Sequence, residues 1–219
     1  MQRHFRDRAE AGRLLASKLK SYAKKSDVLV LGLPRGGVPV AFEIAKTLNA
    51  PLDIWLVRKL GVPGNKELAM GAIGMGDVRV MNKEIVKSLK VSDEAIARVV
   101  DQEKQELERR DRAYRGDRPI PDPRDRAIIL VDDGIATGST LFAALTSLRQ
   151  HHPASIAVAT PIIPPSLCKK LRREVDKVAY LLQPDPFHFI GFWYDDFSST
   201  PDRVVCDLLD RSVSLTSIP

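Results

Sequence analysis

The chain has 219 residues, 44% hydrophobic and 28% charged, with a formal net charge of +6, two cysteines and four histidines. This suits one soluble globular domain with a full core, and no stretch is long and apolar enough to span a bilayer. The opening Met1-Gln-Arg-His-Phe-Arg-Asp-Arg lacks the apolar centre of a leader, and Cys168 and Cys206 have no metal-ligand spacing, so a reduced, cytoplasmic setting is expected.

Asp7-x-x-Glu10 reads as a capping box opening a first helix, with Leu15, Leu19 and Tyr22 along one face. A short apolar strand is expected over 27–33. The turn Pro34-Arg35-Gly36-Gly37 leads to a helix over 39–48, and a second strand covers 52–57. Strand, helix, strand in so short a span is a parallel βαβ unit. Arg58-Lys-Leu-Gly-Val-Pro-Gly-Asn-Lys-Glu67 reads as a loop, followed by short strands over 68–73 and 78–81. Ser92 caps a charged helix running to about Tyr114. Charges of both signs mix almost evenly over 101–126, as on a solvated face, so the basic surplus favours a small anionic substrate over a nucleic-acid track. Further helices are expected over 140–150 and 166–176, and strands over 155–160 and 178–182. The alternation implies an α/β fold: a mainly parallel twisted sheet with helices on both faces. Residues 1–182 form its core with the N-terminal helix. Residues 183–219 are expected to be a C-terminal segment of the same domain.

The most informative stretch is Ile128-Ile-Leu-Val-Asp-Asp-Gly-Ile-Ala-Thr-Gly-Ser-Thr140. An apolar β-branched strand ends in two carboxylates. A turn of small and hydroxyl residues follows, and then a helix opens. Backbone N–H groups at a helix N-terminus suit a phosphate, and adjacent carboxylates accept hydrogen bonds from sugar hydroxyls. Two other phosphate motifs do not fit. Gly138 is followed by Ser139 where a Walker A loop needs lysine, and Gly71-Ala-Ile-Gly-Met-Gly76 reverses the dinucleotide spacing.

This stretch resembles the phosphoribosyl-pyrophosphate (PRPP) signature of the type I phosphoribosyltransferases, and the layout is similar to uncharacterised bacterial members of that family. The resemblance implies that Asp132 and Asp133 hold the ribose hydroxyls. Gly134, Ala136, Thr137, Gly138, Ser139 and Thr140 would belong to the PRPP cradle, with 136–140 around the 5′-phosphate. Pro34, Arg35, Gly36 and Gly37 resemble the family's pyrophosphate loop, which often carries a non-proline cis peptide before its basic residue. One is therefore expected at Pro34–Arg35. Residues 58–67 look like the mobile catalytic loop, with Arg58, Lys59 and Lys66 as candidate catalytic cations.

By the same resemblance the activity is transfer of ribose 5-phosphate from PRPP to a nitrogen heterocycle, with release of pyrophosphate. Mg²⁺ is the implied cofactor, held mainly by substrate and water rather than directly by protein, and a homodimer is usual. The aromatic-rich hood offers Phe189, Trp193 and Asp195 as acceptor contacts. The run Gly191-Phe-Trp-Tyr-Asp195 loosely resembles hypoxanthine-guanine enzymes, but Gln183 stands where those enzymes use a lysine. Two other readings remain: a regulator that senses PRPP and binds nucleic acid, and a ribose-phosphate domain with another chemistry such as phosphorolysis.

Overall fold

The computed structural model describes residues 4–76 and 78–216, apart from the side chains of residues 66, 67 and 214–216. The chain divides into two compact units. One comprises Met1–Ile54, Pro123–Gly138 and Pro153–Pro219, and the other Trp55–Asp122 and Ser139–His152.

The first unit is built on a five-stranded, wholly parallel sheet. Its strands are β1 (Val28–Gly32), β2 (Leu52–Ile54), β6 (Ala127–Val131), β7 (Ser155–Ile162) and β8 (Lys177–Leu182). Their order is β2-β1-β6-β7-β8. Every residue of β1 and β6 is buried, which explains why both strands are continuous apolar runs instead of alternating ones. Helix α1 (Arg8–Ala16) begins where Asp7 accepts the N–H of Glu10 at 2.7 Å. The Glu10 carboxylate accepts the Arg6 N–H at 2.6 Å, one residue before the N-cap N–H that the reciprocal half of a capping box would engage. The chain then tightens into a 3₁₀ turn over Ser17–Tyr22. Helix α2 (Gly37–Leu48) stops at Asn49, which adopts left-handed φ of 52° and donates its N–H to the carbonyls of Ala45 and Lys46. Helices α1 and α2 lie close together because residue 12 is glycine: a Cβ there would stand 2.7 Å from the Val40 carbonyl oxygen. Helix α6 (Pro165–Leu171) ends five residues earlier than its sequence pattern suggests.

Helix α7 (Asp202–Thr216) packs on α2 and β2. Its signal is present in the sequence but went unread. Pro201-Asp202 precedes Val204, Val205, Leu208 and Leu209, a helical spacing whose members at 205, 208 and 209 are buried.

The second unit holds an antiparallel sheet of β3 (Val57–Val62), β4 (Asn65–Gly74) and β5 (Arg79–Met81), with helices α3 (Lys83–Ser88), α4 (Asp93–Arg115) and α5 (Ser139–Arg149). This corrects the expectation of a loop over 58–67, because those residues form a hairpin. Val62 pairs with Asn65, leaving Pro63-Gly64 as a two-residue turn in which Gly64 takes φ of 81°. Proline followed by a positive-φ glycine is the signature of a type II turn. The strand expected over 52–57 divides into the whole of β2 and the first residue of β3, in different sheets. The unit's core includes fully buried Trp55, set edge-on to His151 with ring centroids 5.2 Å apart.

Candidate functional site

β1 and β6 pair in register, Gly32 beside Val131, so the loops that follow them leave the sheet side by side at its carboxyl end. The Leu33 N–H donates to the Val131 carbonyl at 2.8 Å and holds the two exits together. Ligands of open parallel sheets sit at such ends. The first loop carries Pro34, Arg35, Gly36 and Gly37, and the peptide between Pro34 and Arg35 is cis, as expected. Arg35 is exposed and lies 3.5 Å from the Asp202 carboxylate.

The glycines of this loop are required by contact. A Cβ on Gly37 would stand 2.6 Å from the Val131 carbonyl oxygen and 3.0 Å from the Asp132 Cα. A Cβ on Gly36 would overlap the Asp133 carboxylate itself. The bare backbone of the first loop is therefore the floor on which the acidic pair rests.

In the second loop the Asp132 carboxylate accepts the Asp133 N–H at 2.9 Å. Asp132 keeps some surface open to solvent, yet its carboxyl is deeply surrounded. Burial pushes its pKa well above the usual range, and the neighbouring Asp133 charge adds to the rise. Asp133 is nearly closed off, with 12% of its side chain exposed, and meets Arg8 at 2.7 Å. Gly134 is small because Ile190 sits where its Cβ would be. Gly138 takes φ of 76° just before α5 begins at Ser139, a conformation that favours glycine. Ala136, Thr137, Ser139 and Thr140 are exposed along this turn.

The 190–198 segment covers the turn. Tyr194 is buried, and its hydroxyl donates to the Asp133 carbonyl at 2.6 Å. Burial, reinforced by the Asp133 charge, raises the phenol pKa and keeps the group a donor. Replacing Tyr194 by phenylalanine should cost about 1–2 kcal/mol of stability, the usual penalty for stranding a buried carbonyl. Denaturant titration of the two proteins reads that difference.

The hood candidates separate by burial. Trp193 is 3% exposed and belongs to a core cluster with Phe5, Ala11, Ile162 and Tyr194. Phe189 is 65% exposed, and Asp195 is exposed with its N–H bound to the Phe5 carbonyl at 2.8 Å. Burial of a large indole stabilises more than an exposed stack would, which accounts for its inward placement.

Within the second unit, Arg58 lies on β3 and forms a close ion pair with Glu103 of α4, at 2.6 and 2.7 Å. Lys59 is its half-buried neighbour on the strand. The Lys66 side chain lies outside the described residues. Arg8 escaped the sequence reading, because nothing near it in the chain announces a partner 125 residues away.

Among the described residues no group of three or more His, Cys, Asp or Glu could hold a metal. Asp132 and Asp133 fit an orienting role beside a hard cation that would be held by phosphates, hydroxyls and water rather than by the acids themselves.

Comparison with known proteins gives the same picture. Residues 6–195 match the family described as "Phosphoribosyl transferase domain". The chain is 44% identical over 208 residues to "Putative phosphoribosyl transferase Rv0571c" of Mycobacterium tuberculosis, covering 95% of this chain and 47% of that protein. The chain thus spans about half the length of the curated relatives it matches. The crystal structure of TT1426 from Thermus thermophilus superposes with a TM-score of 0.84 at 38% identity, over 94% of this chain and 97% of that one. With its parallel sheet and paired carboxyl-end loops, the chain belongs to the phosphoribosyl transferase domain family.

Proposed function

We propose that this protein is a Mg²⁺-dependent transferase that moves ribose 5-phosphate from PRPP to a nitrogen-heterocycle acceptor and releases pyrophosphate. The observation that carries the reading is the meeting of two loops. The acidic pair after β6 lies on the bare glycines after β1, and a positive-φ glycine leads from that pair into a helix N-terminus. Such a surface offers carboxylate acceptors to sugar hydroxyls and backbone N–H groups to phosphates.

On this reading Asp132 and Asp133 orient the ribose, and residues 134 and 136–140 receive the 5′-phosphate. Arg35 supplies a fixed positive fork to pyrophosphate, beside Gly36 and Gly37. Arg58, Lys59 and Lys66 are assigned to the departing charge. Phe189 is the exposed ring available to a flat acceptor, buried Trp193 backs it through Phe192, which meets both rings, and Asp195 supplies an accessible carboxylate. The bond from C1′ to the pyrophosphate oxygen breaks as C1′ joins the acceptor nitrogen. The chain's part is to hold both partners in line and stabilise the leaving anion. Bound Mg²⁺ would neutralise charge on pyrophosphate and ribose oxygens. The working form proposed is a homodimer in the cytoplasm.

Calorimetric titration with PRPP and Mg²⁺ tests the reading, followed by assay of pyrophosphate release across a panel of bases. Binding and release with one class of base are expected. Absence of both rejects the proposal. Uptake of PRPP without release, joined to salt-sensitive nucleic-acid binding, replaces the transferase with a sensor.

A further inference from the structure

Arg8 is the first residue of α1, and its guanidinium is spent on three contacts inside the first unit. Nε donates to Asp133 Oδ2 at 2.7 Å, and Nη1 donates to the Ser198 carbonyl at 2.8 Å. The Cζ atom lies 4.0 Å over the Phe197 ring. Phe197 stacks on Tyr194 with centroids 5.0 Å apart, and Tyr194 binds the Asp133 carbonyl. Asp133 is therefore gripped at side chain and main chain by one connected set of groups, and its carboxylate rests on Gly36. Only 11% of the Arg8 side chain is exposed, against 47% for Arg35. An arginine so enclosed is not presented to a phosphate as Arg35 is. Its work is on the carboxylate.

We propose, resting on the sugar-phosphate reading above, that Arg8 is the positioning residue of the ribose site: it clamps Asp133 through Oδ2 and reserves Oδ1 for a sugar hydroxyl. The geometry needs a fork. One nitrogen meets Asp133 while a second meets Ser198, and the flat group stacks on Phe197. A lysine ammonium keeps the charge but cannot make all three contacts at once.

Titration of wild-type protein, Arg8→Met and Arg8→Lys with ribose 5-phosphate and separately with inorganic pyrophosphate, at fixed Mg²⁺, tests this. Arg8→Met should weaken ribose 5-phosphate about tenfold or more and change pyrophosphate by less than about twofold, since only the sugar carboxylate loses its charge-assisted partner. Arg8→Lys should fall between. Equal weakening of both ligands would mean that Arg8 merely supports the fold, and tighter binding of ribose 5-phosphate by Arg8→Met would make it a competitor of the sugar; either result overturns the proposal. If wild-type protein takes up no ribose 5-phosphate, the sugar-phosphate reading itself fails. Crystal structures of wild-type and Arg8→Met then decide the positioning role: a rotated Asp133 carboxylate sustains it, and an unchanged one removes it.

Discussion

Asp132→Asn should make the unliganded protein more stable at neutral pH while weakening the PRPP binding proposed above. The Asp132 carboxyl is buried beside the Asp133 charge, and its pKa is raised well above the ordinary carboxylate value. An acid whose pKa rises on folding binds its proton more tightly in the native state. Stability from this group is therefore full below the unfolded-state value of about 4, and is lost as pH climbs from there through the raised native value. Asparagine has nearly the same shape and still offers an oxygen to the Asp133 N–H, which Asp132 accepts at 2.9 Å. It carries no charge to desolvate. Denaturation midpoints of the two proteins should run together at the acid end and separate toward neutrality, with the variant above. PRPP affinity should fall roughly ten- to hundredfold, the range for losing a hydrogen bond to a charged acceptor. A variant less stable than wild type at neutral pH would contradict the account of Asp132 as a strained acid.

Gly36→Ala tests the floor of the site. A Cβ at residue 36 would occupy the space of the Asp133 carboxylate, nearest the Oδ2 that Arg8 holds at 2.7 Å. Neither the carboxylate nor the loop can yield cheaply. Either Asp133 leaves Arg8 or the loop after β1 lifts away from the sheet. The expected cost is about 1–3 kcal/mol, as for other overpacked sites, with ribose 5-phosphate affinity falling alongside. Gly64→Ala is the matched control, because nothing lies within 4 Å of a Cβ there. Its positive φ of 81° brings a backbone penalty of only about 1 kcal/mol and no loss of ligand. Urea titration and calorimetry on both variants separate the two effects.

The central sheet was legible in the sequence because its buried strands are uninterrupted apolar runs. β1, β6, β7 and β8 lie within a residue or two of where those runs put them. The two loops that leave β1 and β6 stood out for a related reason: small residues and paired acids gather at those strand ends. The β3–β4 hairpin was not, because lysines, glycines and a proline imitate a loop when their pairing partners are ignored. Arg58 shows the cost of that error. Read as a loop cation, it is a strand residue already engaged with Glu103. Trp193 and Phe189 stand only four positions apart, yet one is interior and the other open to solvent. Composition alone could not divide them, since that depends on how the segment folds over Gly134 and Phe5. Arg8 was hidden for the deepest reason: its role is defined by contacts with Asp133 and Ser198, both more than a hundred residues distant.

The pairing of residues near 5 with those near 194 has a consequence for how the molecule comes into being. Phe5 and Trp193 share a hydrogen bond, Asp195 returns one to Phe5, and Arg8 reaches Ser198. These partners lie about 190 residues apart in sequence, and contacts so remote along a polypeptide are slow to form. Arg8 is already made when Asp133 is synthesised, but the Asp133 carbonyl lacks its tyrosine, and Arg8 its Ser198 carbonyl, until residues 194–198 follow. The setting of Asp133 is thus completed late, and a chain ending before residue 190 would keep the five strands of the sheet while losing the segment that covers Gly134 and binds the Asp133 carbonyl.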